Sequence, residues 1–193
     1  MRGLLCLFLF VQATPSQPPA AVYDLLIRGA RIVDGAGNPW FLGDVAVIGD
    51  RIVRVGHLAD ASARWTVEAK GLTLAPGFID THSHGRRGLF QTPAAENYIR
   101  QGVTTIFEGP DGSSPSPIRP FLDQVSRTKP AVNVGLLAGH GTIRTEVMGL
   151  ENRKATPDEL ERMRGLTRQA MLDGAFGLST GLFYVPANYA PTE

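Results

Sequence analysis

Hydrophobic and polar positions change their period partway along the chain. Between residues 23 and 75, short apolar runs are broken every few residues by Gly, Asp, Asn or Pro, the pattern of strands joined by turns. Residues 23–28 and 30–33 read as two strands, the second ended by Asp34-Gly35-Ala36-Gly37-Asn38-Pro39. Residues 44–48 and 51–55 flank Gly49-Asp50, which suits a tight hairpin. Residues 65–69 and 72–75 complete the set. From residue 74 the pattern alternates strand with helix. Strands are predicted at 74–80, 103–108, 132–138 and 175–178, and helices at 93–101, 117–127 and 157–173. The last helix has the clearest signals. Thr156 can cap it, Pro157 suits its first position, Glu159 completes a capping box, and Gly174 fits the stop. Leu160, Met163, Leu166 and Ala170 form its apolar stripe.

Strands linked by helices imply parallel, right-handed β-α-β units and an α/β fold. A closed (β/α)8 TIM-like barrel needs roughly 250 residues, and fewer than half of these follow residue 74. The chain is therefore expected to be the N-terminal portion of a longer protein. Its organisation is read as 1–20 signal peptide and leader, 21–73 the strands of a partial domain, and 74–193 the first half of a barrel. Such an open half-barrel exposes strand edges and is expected to be inactive and unstable alone.

Composition is ordinary for a globular protein: 43% hydrophobic, 19% charged, net charge +1. With no basic run, nucleic acid is not an expected partner. Residues 3–11 form an apolar stretch after Arg2, and Val11-Gln12-Ala13 offers a small-residue cleavage site. This reads as an export signal, too short to span a bilayer as a mature helix. The protein is thus expected to be periplasmic or secreted, without membrane attachment after signal removal. Cys6, the one cysteine, falls inside that signal, so stability must come from packing and possibly from metal.

The chemistry is concentrated at the strand ends, where such barrels place their working residues. Pro76-Gly77-Phe78-Ile79-Asp80-Thr81-His82-Ser83-His84 reads as a strand ending in two histidines spaced i, i+2. Alternate strand side chains share a face, so His82 and His84 project together. Two converging imidazoles form half of a transition-metal site, most often zinc. Glu108 and Asp111 follow the second strand. A carboxylate there can be a metal ligand, Asp111 before Glu108, or Asp111 can simply shape the Gly-Pro-Asp-Gly turn. His140 and Arg144 follow the third strand. His140 sits in a Gly-flanked loop, where it can meet substrate or a neighbouring group, or make a loop-stabilising hydrogen bond. Arg144 can pair with a substrate carboxylate or form a structural ion pair with Glu146 or Glu151. Ser179, Thr180 and Tyr184 follow the fourth strand.

The first-strand motif resembles that of the amidohydrolase superfamily. Gly139-His140-Gly141-Thr142-Ile143-Arg144 with Val147-Met148-Gly149, and residues 174–184 (GAFGLSTGLFY), resemble its N-acyl-D-amino-acid deacylase (D-aminoacylase) branch. The resemblance runs from about Tyr23 to the last residue. It implies a metal-dependent hydrolase of amide bonds, with one or two divalent ions such as Zn2+ and small N-acyl-D-amino acids as substrates. It implies that the N-terminal strands belong to a small β-sandwich completed by the C-terminal end of the full chain. Many D-aminoacylases carry a metal-ligating cysteine where this chain has Asp111. Tyr184 matches a family position near the substrate carbonyl or carboxylate. Gly85-Arg86-Arg87 departs from the acidic pair that many deacylases carry. The family's remaining metal histidines and catalytic aspartate lie on later strands, so no residue here is assigned as the general base. Alternatives within the superfamily are a cyclic-amide or dipeptide hydrolase of the dihydroorotase, hydantoinase or isoaspartyl-dipeptidase type. An alternative of another class is a metal-free scaffold or binding homologue.

Overall fold

A computed structural model describes residues 22–191. The expected signal and leader, residues 1–20, lie outside the described residues, as does residue 21 at the start of the expected strand unit. No helix among the described residues is long and apolar enough to cross a membrane. The chain divides after Pro76 into two compact units.

The first unit is built on β1 (Val22–Ile32), which pairs antiparallel with β2 (Phe41–Ile48). β3 (Arg51–Gly56) closes the expected hairpin on β2, with Gly49 at φ 57° in the turn. β4 (Ser62–Glu68) and β5 (Thr73–Leu74) lie parallel to β1. The two strands expected at 23–28 and 30–33 are one. Gly29, at φ 67°, absorbs the break as an irregularity in register between Ile27 and Ala30; glycine reaches this backbone region without steric cost. Alternating positions of β1, β2 and their neighbours bury two small clusters, one of Tyr23, Leu26, Ala46 and Leu58, the other of Ala30, Ile32, Val45 and Ala69.

The strand expected over 74–80 is interrupted. Its first residue ends β5, and β6 (Phe78–Asp80) belongs to the second unit's sheet. Pro76 offers no N–H for a ladder, and Gly77 runs so close to the Thr104 side chain that a Cβ there would collide.

In the second unit β6, β7 (Val103–Glu108), β8 (Asn133–Gly139) and β9 (Gly177–Ser179) form an all-parallel sheet in chain order. Between them run α1 (Arg86–Leu89), α2 (Glu96–Ile99), α3 (Ile118–Thr128), α4 (His140–Met148) and α5 (Pro157–Leu172). This is the parallel, right-handed wind of the first half of a (β/α)8 barrel. The capping box of α5 is present: Thr156 Oγ1 accepts from the Glu159 N–H at 3.3 Å, and Glu159 Oε2 accepts from the Thr156 N–H at 2.8 Å. Met163, Leu166 and Ala170 pack against Ile118, Leu136, Ala138 and Ile143. Leu160, the fourth member of the expected stripe, remains largely exposed.

Two helices also differ from expectation. The helix expected over 93–101 shrinks to the single turn of α2, entered through Ala95 in the left-handed region. The loop expected around His140 is instead the start of α4, whose N-cap is Gly139 with no side-chain cap. Without a capping side chain or a Pro at its first position, that helix carries no start signal in the sequence.

Candidate metal centre

The end of β6 delivers the two histidines. Asp80 Oδ1 accepts from the His82 N–H at 3.0 Å, and the Ser83 N–H donates to the Phe107 carbonyl of β7 at 3.0 Å. Ser83 is buried. The side chains on either side of it stand open, with His82 60% and His84 65% accessible. The strand-like alternation read from His-x-His therefore holds beyond the strand itself.

Asp111 arrives from β7 through a 3-10 turn at Pro110–Gly112. Its backbone is left-handed, φ 57° and ψ 24°, a region that aspartate tolerates better than most residues. Ser179 of β9 holds this turn from across the sheet: its Oγ donates to the Gly109 carbonyl and accepts from the Gly112 N–H at 3.1 Å. Gly181 passes so close that a Cβ there would strike the Asp111 carbonyl oxygen. Asp111 thus shapes a turn and also faces the histidines. Its Oδ2 lies 3.2 Å from His82 Nε2 and 3.3 Å from His84 Nε2.

These three donor atoms lie within 4.8 Å of one another. Ligands bound at 2.0–2.1 Å in a tetrahedron are about 3.3–3.4 Å apart. The two histidine–aspartate separations lie close to that edge, so the donor set fits a divalent ion in both chemistry and spacing. Glu108, the second carboxylate considered, is not part of the cluster. It is almost wholly buried, and its Oε1 accepts from Ser83 Oγ at 2.8 Å and from the Gly85 N–H at 2.7 Å.

The cluster opens into a cleft of about 950 Å3 lined by His84, Asp111, Arg86, Arg87, Glu146 and Tyr184, among others. Arg86 is tied down, donating to the Ser113 carbonyl at 2.8 Å and to Ser113 Oγ at 3.1 Å. Arg87 has no hydrogen-bond or ion-pair partner among the described residues.

No family model matches the chain. The chain is 38% identical over 201 residues to the D-aminoacylase of Alcaligenes xylosoxydans xylosoxydans, a match covering 92% of this chain and 42% of that protein. It is 39% identical over 205 residues to the N-acyl-D-aspartate deacylase of the same organism, covering 94% and 41%. Its fold superposes with a TM-score of 0.82, at 30% identity, on the Bordetella bronchiseptica N-acyl-D-glutamate deacylase solved with zinc and a phosphonate mimic of the tetrahedral intermediate; this covers 89% of the chain and 41% of that structure. The chain belongs to the D-aminoacylase branch of the amidohydrolases. It spans about two fifths of the length of the curated relatives it matches.

In this D-aminoacylase-branch chain, two residues considered for substrate contact have other placements. Arg144 is 2% exposed. Its Nη2 donates to the carbonyls of Glu151 at 3.1 Å and Arg153 at 2.7 Å, and its Nη1 contacts Met148 Sδ at 3.3 Å. It therefore faces no cleft, and it pairs with neither the Glu146 nor the Glu151 carboxylate. Its guanidinium satisfies the carbonyls of the segment leaving α4, which no side-chain pairing rule would reveal.

His140 opens α4, where Nδ1 lies 2.9 Å from Thr180 Oγ1. It lines a separate cavity of about 520 Å3 with Ile143, Leu160 and Met163. Burial, and then the positive charge of Arg144, hold its pKa below the ordinary value. The structure thus places His140 in a hydrogen bond between strand ends and outside the cleft that holds Asp111. Tyr184 does line that cleft. Sequence reasoning placed Ser179 at a strand end but missed its grip on the Asp111 turn. Only a strand order that sets β9 two places from β7 brings it there.

Proposed function

We propose that the protein is a metal-dependent amidohydrolase that removes the acyl group from N-acyl-D-amino acids. The observation that carries this reading is the meeting of His82, His84 and Asp111 at adjacent strand ends beside a cleft. His82 and His84 through Nε2, and Asp111 through Oδ2, would hold a divalent ion; two imidazoles and a carboxylate suit zinc. Bound there, such an ion supplies polarisation of an amide carbonyl and activation of water at neutral pH.

The chain's own residues contribute binding and orientation. Arg87 brings to the cleft a guanidinium that has no partner among the described residues, and a guanidinium fork matches a carboxylate. Tyr184 offers a phenol on the same cleft wall, within the class of donors that orient a carbonyl or carboxylate. An N-acyl amino acid presents both groups. The names of the two curated relatives, D-aminoacylase and N-acyl-D-aspartate deacylase, support the D-configured substrate. The apolar run after Arg2 supports export of the protein.

The test is metal analysis of the full-length protein, followed by release of free amino acid from N-acetyl-D- and N-acetyl-L-amino acids. The expected result is bound zinc and turnover of the D series alone, both lost in His84→Ala. Bound metal with turnover confined to cyclic amides would overturn the substrate class. A protein that purifies without metal and hydrolyses no amide would overturn the reading as a whole.

A further inference from the structure

Among the described residues of the second unit, Glu108 is the one acidic side chain that is almost wholly buried, at 1% exposure. Burying a carboxylate is costly unless hydrogen bonds compensate it. Here they converge on one oxygen. Oε1 accepts from Ser83 Oγ at 2.8 Å and from the Gly85 N–H at 2.7 Å. Ser83 Oγ is also 2.8 Å from the Tyr98 hydroxyl. A serine has one hydroxyl proton, and Ser83 gives it to Glu108, so Tyr98 is the donor in the second contact. The result is a relay from Tyr98 to Ser83 to Glu108, running beneath the segment from His82 to Gly85.

The position of this relay matters more than its strength. Ser83 lies between the two histidines, and Gly85 follows the second. Glu108 therefore holds the Ser83 side chain before His84 and the Gly85 N–H after it, while standing three residues before Asp111 on the same chain. One buried carboxylate thereby fixes the imidazole side of the centre relative to the carboxylate side. The His84 imidazole itself is 65% exposed, and among the described residues it has a polar contact with Asp111 and an edge-to-face contact with the His82 ring. Tyr98 also packs closely on Gly85, where an added Cβ would displace its hydroxyl. The relay is thus packed as well as bonded.

We propose that Glu108, acting through Ser83 and the Gly85 N–H, is a positioning residue that aims His82 and His84 at the ion shared with Asp111. This rests on the metal-centre reading above. Groups that orient metal ligands from outside typically change metal affinity by about 10–100-fold when lost. Glu108→Gln keeps the size and one acceptor oxygen but removes the charge that orders the two donors. Ser83→Ala removes the link and leaves Glu108 its bond to Gly85.

The experiment uses the full-length protein with Co2+ as probe. It records the dissociation constant by competition with a chromophoric chelator, the visible absorption of the bound ion, and the thermal midpoint of the metal-free protein. The expected result is a loss of affinity of about 10–100-fold in Glu108→Gln, a smaller loss in Ser83→Ala, and altered visible bands in both. Unchanged affinity and bands in both variants, with or without a lower metal-free midpoint, would overturn the assignment and leave Glu108 a purely structural group. A wild-type protein that binds no Co2+ would overturn the metal reading and this assignment with it.

Discussion

Asp111 combines two properties at a single residue: a left-handed backbone and a carboxylate aimed at two imidazoles. A carboxylate is a harder ligand than a thiolate, and harder ligands favour harder ions. Asp111→Cys is expected to raise the preference for Zn2+ over Mn2+ by at least about tenfold, as read by chelator competition with each ion. An unchanged ratio would show that Asp111 does not contact the ion. His140 sets a different expectation. Burial first, and Arg144 second, lower its pKa from the usual 6.5, so the folded protein takes up a proton less readily than the unfolded chain. The stability this contributes is complete above pH 6.5 and falls as the pH drops through that value toward the folded pKa. His140→Gln should flatten that part of the profile. Thermal midpoints of both proteins between pH 8 and 5 test it, and parallel curves would count against it.

At the level of elements, the strand ends are fixed to one another by close backbone approach. Gly109 has φ 85°, and a Cβ there would meet the Leu137 carbonyl of β8. Gly109→Ala is therefore expected to destabilise the fold by about 2–4 kcal/mol, from the left-handed backbone and the overpacking together. Urea unfolding gives the measurement, and a loss below ~0.5 kcal/mol, the range of ordinary surface changes, would mean the turn relaxes freely. The same scale shows which elements were legible. α5 announced itself through Thr156, Pro157, Glu159 and Gly174, because local hydrogen bonds and backbone preferences set its ends. α4 did not, because its start is a glycine without a cap and its position is set by packing against α5 and β8. β1 was read as two strands because a glycine looks like a turn whenever its partner strands are unknown.

Over the whole molecule, the parallel α/β wind and the His82–His84 pair could be read from period and spacing alone, since both are local properties. Asp111 was legible as the first carboxylate candidate from its place after the second strand, but its meeting with the histidines and the groups around the centre were not. Glu108 was weighed as a ligand because a strand-end carboxylate looks the same whether it faces the cleft or the interior, and burial decides between the two. Arg144 was weighed against a substrate carboxylate because its true partners are main-chain carbonyls, which carry no residue code. The placements of Tyr184 in the cleft and Ser179 at the Asp111 turn required the sheet order β6-β7-β8-β9.

That order has a consequence for the time at which parts of the centre come into being. His82 and Asp111 are separated by 29 positions, whereas the bond from Ser179 to Gly109 spans 70. A ribosome adding 5–20 residues per second needs about 4–14 seconds to make the second span. The donor trio is therefore fully synthesised well before the serine that secures its turn exists. An ion captured in that interval would meet a looser arrangement than the finished protein presents. Its hold would tighten only as translation completes β9.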